Sequence, residues 1–141
     1  MKERGIVENI FKVDFKVRDY ECDIQGIVNN SVYQNYLEHT RHEYLHHLGI
    51  DFAKYALEGI NLIVIRAELD YKYPLRSGDE FYVDVKMERV SPIRFAFIQN
   101  IYRKLDDKLC VMGKIIGTAL NAQGRPKLPE EIARIFENTI T

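Results

Sequence analysis

From Phe11 to Arg18 the run FKVDFKVR alternates apolar and charged positions without a break. Phe11, Val13, Phe15 and Val17 therefore share one face and predict a half-buried strand. The period then changes. After an irregular segment over 21–30 that contains Gly26, Tyr33, Leu37, Thr40, Tyr44 and Leu48 recur at helical spacing. Asn30 or Ser31 is placed to cap that helix and Gly49 to stop it. A shorter helical piece is expected over 51–58, ending at Gly59. From Asn61 the texture is β-prone: a strand over 61–73, a turn at PLRSGD, and a second alternating run over 80–88 with Phe81, Val83, Val85 and Met87 on one face. RFAFIQNIYRK and KLCVMGKIIGTALNA follow, joined by a hairpin turn at Asp106 and Asp107. The tail over 129–138 opens on Pro129, carries two glutamates in its first turn and aligns Ile132, Ile135 and Phe136, which predicts a last short helix on the rim.

One strand, a long helix and four more strands give an α+β domain, in which the helix must bury its stripe against a five-stranded antiparallel sheet. A sheet of this kind leaves edges with unpaired backbone groups, and pairing across a two-fold axis satisfies them. At 141 residues the chain fits one domain over 1–141. Its 20 Lys and Arg against 21 Asp and Glu supply no positive field to gather a nucleic acid backbone. Cys22 and Cys110 are too few for a disulfide framework, which fits a reducing, cytoplasmic setting. The amino-terminal residues lack an apolar targeting core, and no segment approaches the roughly 18 apolar residues of a membrane span. The expectation is a soluble, unprocessed protein.

Two stretches invite chemistry. HEYLH, from His42 to His46, spells the zinc-protease string in which two histidines four apart bind the metal and the glutamate activates water. At about 100° per residue, however, His42 and His46 point away from the buried stripe, and all four histidines of the chain lie on this one helix. A solvated face is the simpler reading. In CDIQGIVNN, Asp23 precedes a glycine turn within reach of the long helix's amino end, where backbone N–H groups lack intrahelical partners and carry partial positive charge. Donors at Val28, Asn29 or Asn30 would polarise a carbonyl while Asp23 attacks it or deprotonates a water. Asp23 reads equally as a turn residue, and Asn29 and Asn30 as ordinary caps, so spacing alone leaves the choice open. No G-x-S-x-G motif is present, and Cys22 has no histidine assigned to activate it.

The segment VRDYECDIQGIVNNSVYQNYLEHTRHEYL resembles the signature of the hotdog-fold acyl-CoA thioesterases related to 4-hydroxybenzoyl-CoA thioesterase. Its VNN and YLE parts are also similar to the plant acyl-carrier-protein thioesterases. YKYPLRSGDEFYVDVKMERVSPIRFAFIQNIY resembles the family's strand, glycine turn and two following strands. The resemblance implies a hotdog fold, a sheet wrapped around one long helix. It implies hydrolysis of an acyl-CoA or acyl-carrier-protein thioester without metal or organic cofactor, coenzyme A entering only as part of the substrate. Asp23 aligns with the catalytic carboxylate and Asn30 with the N–H donor. Glu38 takes the helix position that bears the carboxylate in some relatives. Arg89 and Arg94 stand near the basic contacts for the coenzyme A phosphates, and Tyr33, Ile63 and Ile65 are offered as tunnel lining. Where the plant-type relatives carry a histidine this chain has Ile27, which removes any acid–base role there and argues against a dehydratase. The family further implies a homodimer or tetramer with the acyl site between subunits. The rival readings are a non-catalytic acyl-binding module and a zinc hydrolase acting through HEYLH.

Overall fold

The computed structural model describes residues 10–140, with side chains through residue 136. The reading of residues 1–9 as free of a targeting core lies outside the described residues. Strand β1 spans Phe11–Lys16, helix α1 Asn30–His47, helix α2 Phe52–Leu57 and strand β2 Asn61–Tyr71. Strands β3 (Glu80–Ser91), β4 (Arg94–Arg103) and β5 (Lys108–Leu120) follow, then helix α3 (Glu130–Ile140). The strands form one antiparallel sheet in the order β1-β3-β4-β5-β2, so β1 and β2 are its edges.

Alternation drives this register. Phe81, Val83, Val85 and Met87 are buried on β3, and Phe95, Phe97, Gln99 and Ile101 continue that face on β4. Helix α1 lies across it. Tyr36 packs its ring 5.4 Å from Phe15 on β1 and 4.7 Å from Phe81 on β3, while Tyr33 sits 5.5 Å from Tyr71 on β2. On β5 a Cβ at Gly113 would stand 3.1 Å from the Leu37 side chain and 3.2 Å from the Gln99 carbonyl. Glycine there lets the helix settle onto the strand. This is the hotdog arrangement. Helix α3 buries Ile132, Ile135 and Phe136, and so contributes to the core rather than resting on the rim alone.

Three expectations need correction. The helix begins at Asn30, so Asn29 rather than Asn30 or Ser31 occupies the capping position, and its side chain makes no capping bond. Leu48 is 38% exposed because it lies beyond the last helical residue, where the helical phase no longer applies; Tyr36 and Leu45 are buried in its stead. Strand β2 ends at Tyr71 rather than at residue 73, and β3 runs on to Ser91.

Candidate active site

The loop between β1 and α1 is built from short-range hydrogen bonds. Cys22 and Val28 pair as an isolated antiparallel bridge, the Asp23 N–H donates to the Ile27 carbonyl at 2.8 Å, and Gly26 turns the chain with φ +81°. A β-branched residue could not hold that angle without strain. The Asp23 carboxylate is exposed. Its Oδ1 accepts the Gln25 N–H at 2.8 Å and the Ile27 N–H at 3.4 Å, while Oδ2 has no partner among the described residues.

The same network sorts the three donors proposed from sequence. The Val28 N–H donates to the Leu75 carbonyl at 2.8 Å and the Asn29 N–H to the Glu21 carbonyl at 2.9 Å. Both are consumed in holding the loop. Among the described residues the Asn30 N–H finds no acceptor, and it opens an 18-residue helix whose aligned peptides make that end electropositive. Asn29, at φ −63° and ψ 137°, aims the chain into the helix. The Asn30 carbonyl accepts the Tyr71 O–H at 3.5 Å, which brings edge strand β2 to the helix start.

Sequence reasoning missed the residue that fastens this loop. Glu21 Oε1 accepts the Arg18 N–H at 2.9 Å and the Tyr36 O–H at 2.8 Å. Burial, and then the bond to Glu21, push the Tyr36 phenol well above its ordinary value, so the shared proton stays on tyrosine. Removing the hydroxyl with Tyr36→Phe should cost about 1–2 kcal/mol, read as a lower urea midpoint at unchanged m-value. Nothing local in the sequence links these two residues.

The other predicted residues fall elsewhere. Glu38 is exposed on α1, its Oε2 lying 3.9 Å from His42 Nε2. It lines a different part of the molecule from the Asp23 loop, a cavity of about 310 Å³ between α1, α2 and the sheet. Of the three tunnel residues only Ile63 borders that cavity; Tyr33 is core, and Ile65 is 44% exposed at a bulge in β2. Arg89 is engaged, its Nη1 donating to the Ser91 and Pro92 carbonyls at 3.4 and 3.3 Å with the guanidinium 5.1 Å above the Phe136 ring. Arg94 is exposed and has no acceptor among the described residues. His42 and His46 face outward, and among the described residues no three His, Cys, Asp or Glu side chains converge as a metal site would require. Burial, then the carboxylates of Asp19, Asp23 and Glu21, push the Cys22 thiol up and away from thiolate chemistry. Among the described residues no helix is long and apolar enough to cross a membrane.

Comparison with known proteins gives this geometry a family. The acyl-acyl carrier protein thioesterase ATL3, chloroplastic, of Arabidopsis thaliana is 36% identical over 126 residues, 89% of this chain; the chain spans 66% of that relative's length. Among solved structures, a 1,4-dihydroxy-2-naphthoyl-CoA thioesterase from Synechocystis superposes with a TM-score of 0.85 at 15% identity, covering 94% of this chain and 99% of its own. A Staphylococcus aureus protein solved in complex with CoA superposes at 0.83 and 16% identity, over 94% and 87% of the two chains. At such identities the superpositions establish the fold alone. Residues 17–136 match the family described as the thioesterase-like superfamily, and the chain belongs to it.

Proposed function

We propose that the chain, as a single domain, hydrolyses an acyl thioester of coenzyme A or of an acyl-carrier protein to a free acid and a thiol. Two observations support this reading: in the loop that leads into α1 the exposed Asp23 carboxylate keeps one oxygen without a partner among the described residues, and of the Val28, Asn29 and Asn30 N–H donors only that of Asn30 has no acceptor among them. In the proposed reaction the thioester carbonyl oxygen accepts the Asn30 N–H, so negative charge develops against the positive end of α1. Asp23 Oδ2 removes a proton from water as its oxygen adds to the carbonyl carbon, or adds directly and is released by water in a second step. Collapse of the adduct breaks the C–S bond, and the departing thiolate takes up a proton. An aspartate of ordinary pKa, about 3.9, is a feeble base, so it needs an activated acyl group; a thiol of pKa about 8.5 leaves far more readily than an alkoxide. Neither metal nor organic cofactor takes part. Arg94, unlike Arg89, has no acceptor among the described residues and is the candidate contact for the carrier's phosphates.

The active unit in this reading is a homodimer joined through β2. That edge strand runs 11 residues and leaves Ile63, Val64 and Ile65 37%, 52% and 44% exposed, a long apolar edge that a lone domain would have to protect. Light scattering should give twice the 16.6 kDa chain mass or a higher even multiple, and Val64→Lys should shift the protein toward monomer. A wild-type monomer at micromolar concentration would contradict the assembly.

The function is tested by free-thiol release from a panel of acyl-CoAs and acyl-carrier-protein thioesters. Turnover abolished by Asp23→Asn supports hydrolysis. Tight acyl-thioester binding with no turnover would mark the chain as a binding module.

A further inference from the structure

Helix α1 fastens the Asp23 loop through the hydroxyls of two buried tyrosines about one turn apart. The Tyr33 hydroxyl accepts the Leu75 N–H at 3.0 Å, and the Leu75 carbonyl accepts the Val28 N–H at 2.8 Å, so the outgoing limb of the loop is tied to the helix by way of the turn between β2 and β3. Tyr36 ties the incoming limb directly, its O–H donating to Glu21 Oε1 at 2.8 Å. Glu21 is engaged at both of its ends. Its Oε1 also accepts the Arg18 N–H at 2.9 Å, which closes the single 3-10 turn over Asp19–Glu21, and its backbone carbonyl accepts the Asn29 N–H at 2.9 Å.

These bonds bracket one atom. Asn29 lies immediately before Asn30 and Tyr36 in the second turn of the same helix, so Glu21 grips the chain on both sides of the Asn30 N–H. Asp23 stands just beyond Glu21, and the Cys22–Val28 bridge joins the two limbs that carry the carboxylate and the donor. The two tyrosine ties differ in kind. Tyr33 meets a neutral amide and Tyr36 a carboxylate, and a hydrogen bond to an ionised acceptor is roughly twice as strong as one between neutral groups. The Tyr36 ring packs against Phe15, Tyr33 and Phe81, which makes its hydroxyl a fixed point. The backbone bond from Asn29 to Glu21 holds residue 29 only as firmly as residue 21 is held, and the bond to Tyr36 supplies that hold.

We propose that Glu21, anchored by Tyr36, is a positioning residue for the thioester reaction, keeping the Asn30 N–H and the Asp23 carboxylate in the mutual geometry that the carbonyl requires. This rests on the thioester reading above and deepens it by naming what aims its donor. Tyr36 is 4% exposed with its proton committed, so it acts through Glu21 and not on the substrate.

Steady-state kinetics on an acyl-CoA of the panel above, with Glu21→Ala, Glu21→Gln and Tyr36→Phe each made in wild type and in Asn30→Pro, reads this role. Glu21→Ala should lower kcat by about tenfold to a hundredfold, the loss that a displacement of about 1 Å brings, with KM little changed. Tyr36→Phe, which deletes a single oxygen, should reproduce part of that loss. Glu21→Gln, whose amide oxygen can still accept from Tyr36 and Arg18, should recover most of it. In the Asn30→Pro background, where the donor is already gone, Glu21→Ala should cost nothing further. A variant that merely folded less would lose apparent kcat equally in both backgrounds, so equal losses, or an unchanged kcat in Glu21→Ala, overturn the proposal. A second readout needs no turnover. Titration with a ketone analogue of an acyl-CoA, a methylene replacing the sulfur, should move the Asn30 amide resonance in NMR spectra of wild type and Glu21→Gln and move it far less in Glu21→Ala. If wild type hydrolyses no thioester and this pattern is seen, hydrolysis fails and the positioning stands. If thioesters are hydrolysed and the Asn30 amide responds alike in wild type and Glu21→Ala, the positioning is overturned and hydrolysis stands. An Asn30 amide that the analogue leaves unmoved in wild type overturns the positioning in either case.

Discussion

Asp23→Asn is expected to lower kcat for thioester hydrolysis by about 10²–10⁴-fold while leaving the fold intact. The substitution is nearly isosteric. Asparagine retains an oxygen to accept from the Gln25 and Ile27 N–H groups, so the turn that Asp23 organises should persist. What disappears is Oδ2, the carboxylate oxygen with no partner among the described residues. Loss of turnover at unchanged melting temperature therefore reports on chemistry. The comparison with Glu38→Gln is informative because Glu38 is exposed, lies 3.9 Å from His42 and lines a cavity that no residue of the Asp23 loop borders. That variant should keep most of its activity. If Glu38→Gln is dead and Asp23→Asn is active, the two carboxylates have been assigned the wrong way round.

The second large effect concerns a backbone hydrogen, which few substitutions can remove cleanly. Asn30 is the first residue of α1, and the first helical position is where proline fits best, its fixed φ being helical and its missing N–H lying outside the intrahelical ladder. Asn29, before it, already has the extended φ −63° and ψ 137° that a following proline demands. Asn30→Pro should thus preserve the helix while deleting the proposed oxyanion donor, at a loss of about 10²–10³ in kcat. Asn30→Ala, which changes the side chain and keeps the N–H, should stay close to wild type. Equal losses in both would assign the role to the amide side chain. Activity in the proline variant would remove Asn30 from the mechanism.

Much of this molecule was legible before any coordinates. Strict alternation in FKVDFKVR and EFYVDVKME placed Phe15, Phe81 and Val83 on the inner face because strand periodicity is local. The helical stripe through Tyr33, Leu37 and Thr40 is local in the same sense. What stayed hidden depends on tertiary partners. That Val28 and Asn29 donate to Leu75 and Glu21, leaving Asn30 free, follows from how a distant turn docks on the loop. The Glu21–Tyr36 bond spans 15 residues and joins two side chains with no shared motif. Gln99 did leave a signal: in FAFIQNIY it occupies an inward position in phase with Phe95, Phe97 and Ile101, and a polar residue there needs a partner. Arg41, flanking the stripe one residue after Thr40, was that partner. Arg89 and Arg94 looked equivalent in sequence, and only the hairpin carbonyls and the Phe136 ring separate them.

The geometry at the helix start is tested most directly by a crystal structure with a non-hydrolysable ketone analogue of an acyl-CoA, in which a methylene replaces the sulfur. Its carbonyl oxygen should lie about 2.7–3.1 Å from the Asn30 nitrogen, with Asp23 Oδ2 facing the carbonyl carbon directly or through one water. A carbonyl seated beside Glu38, out of reach of the Asn30 N–H, would contradict the account.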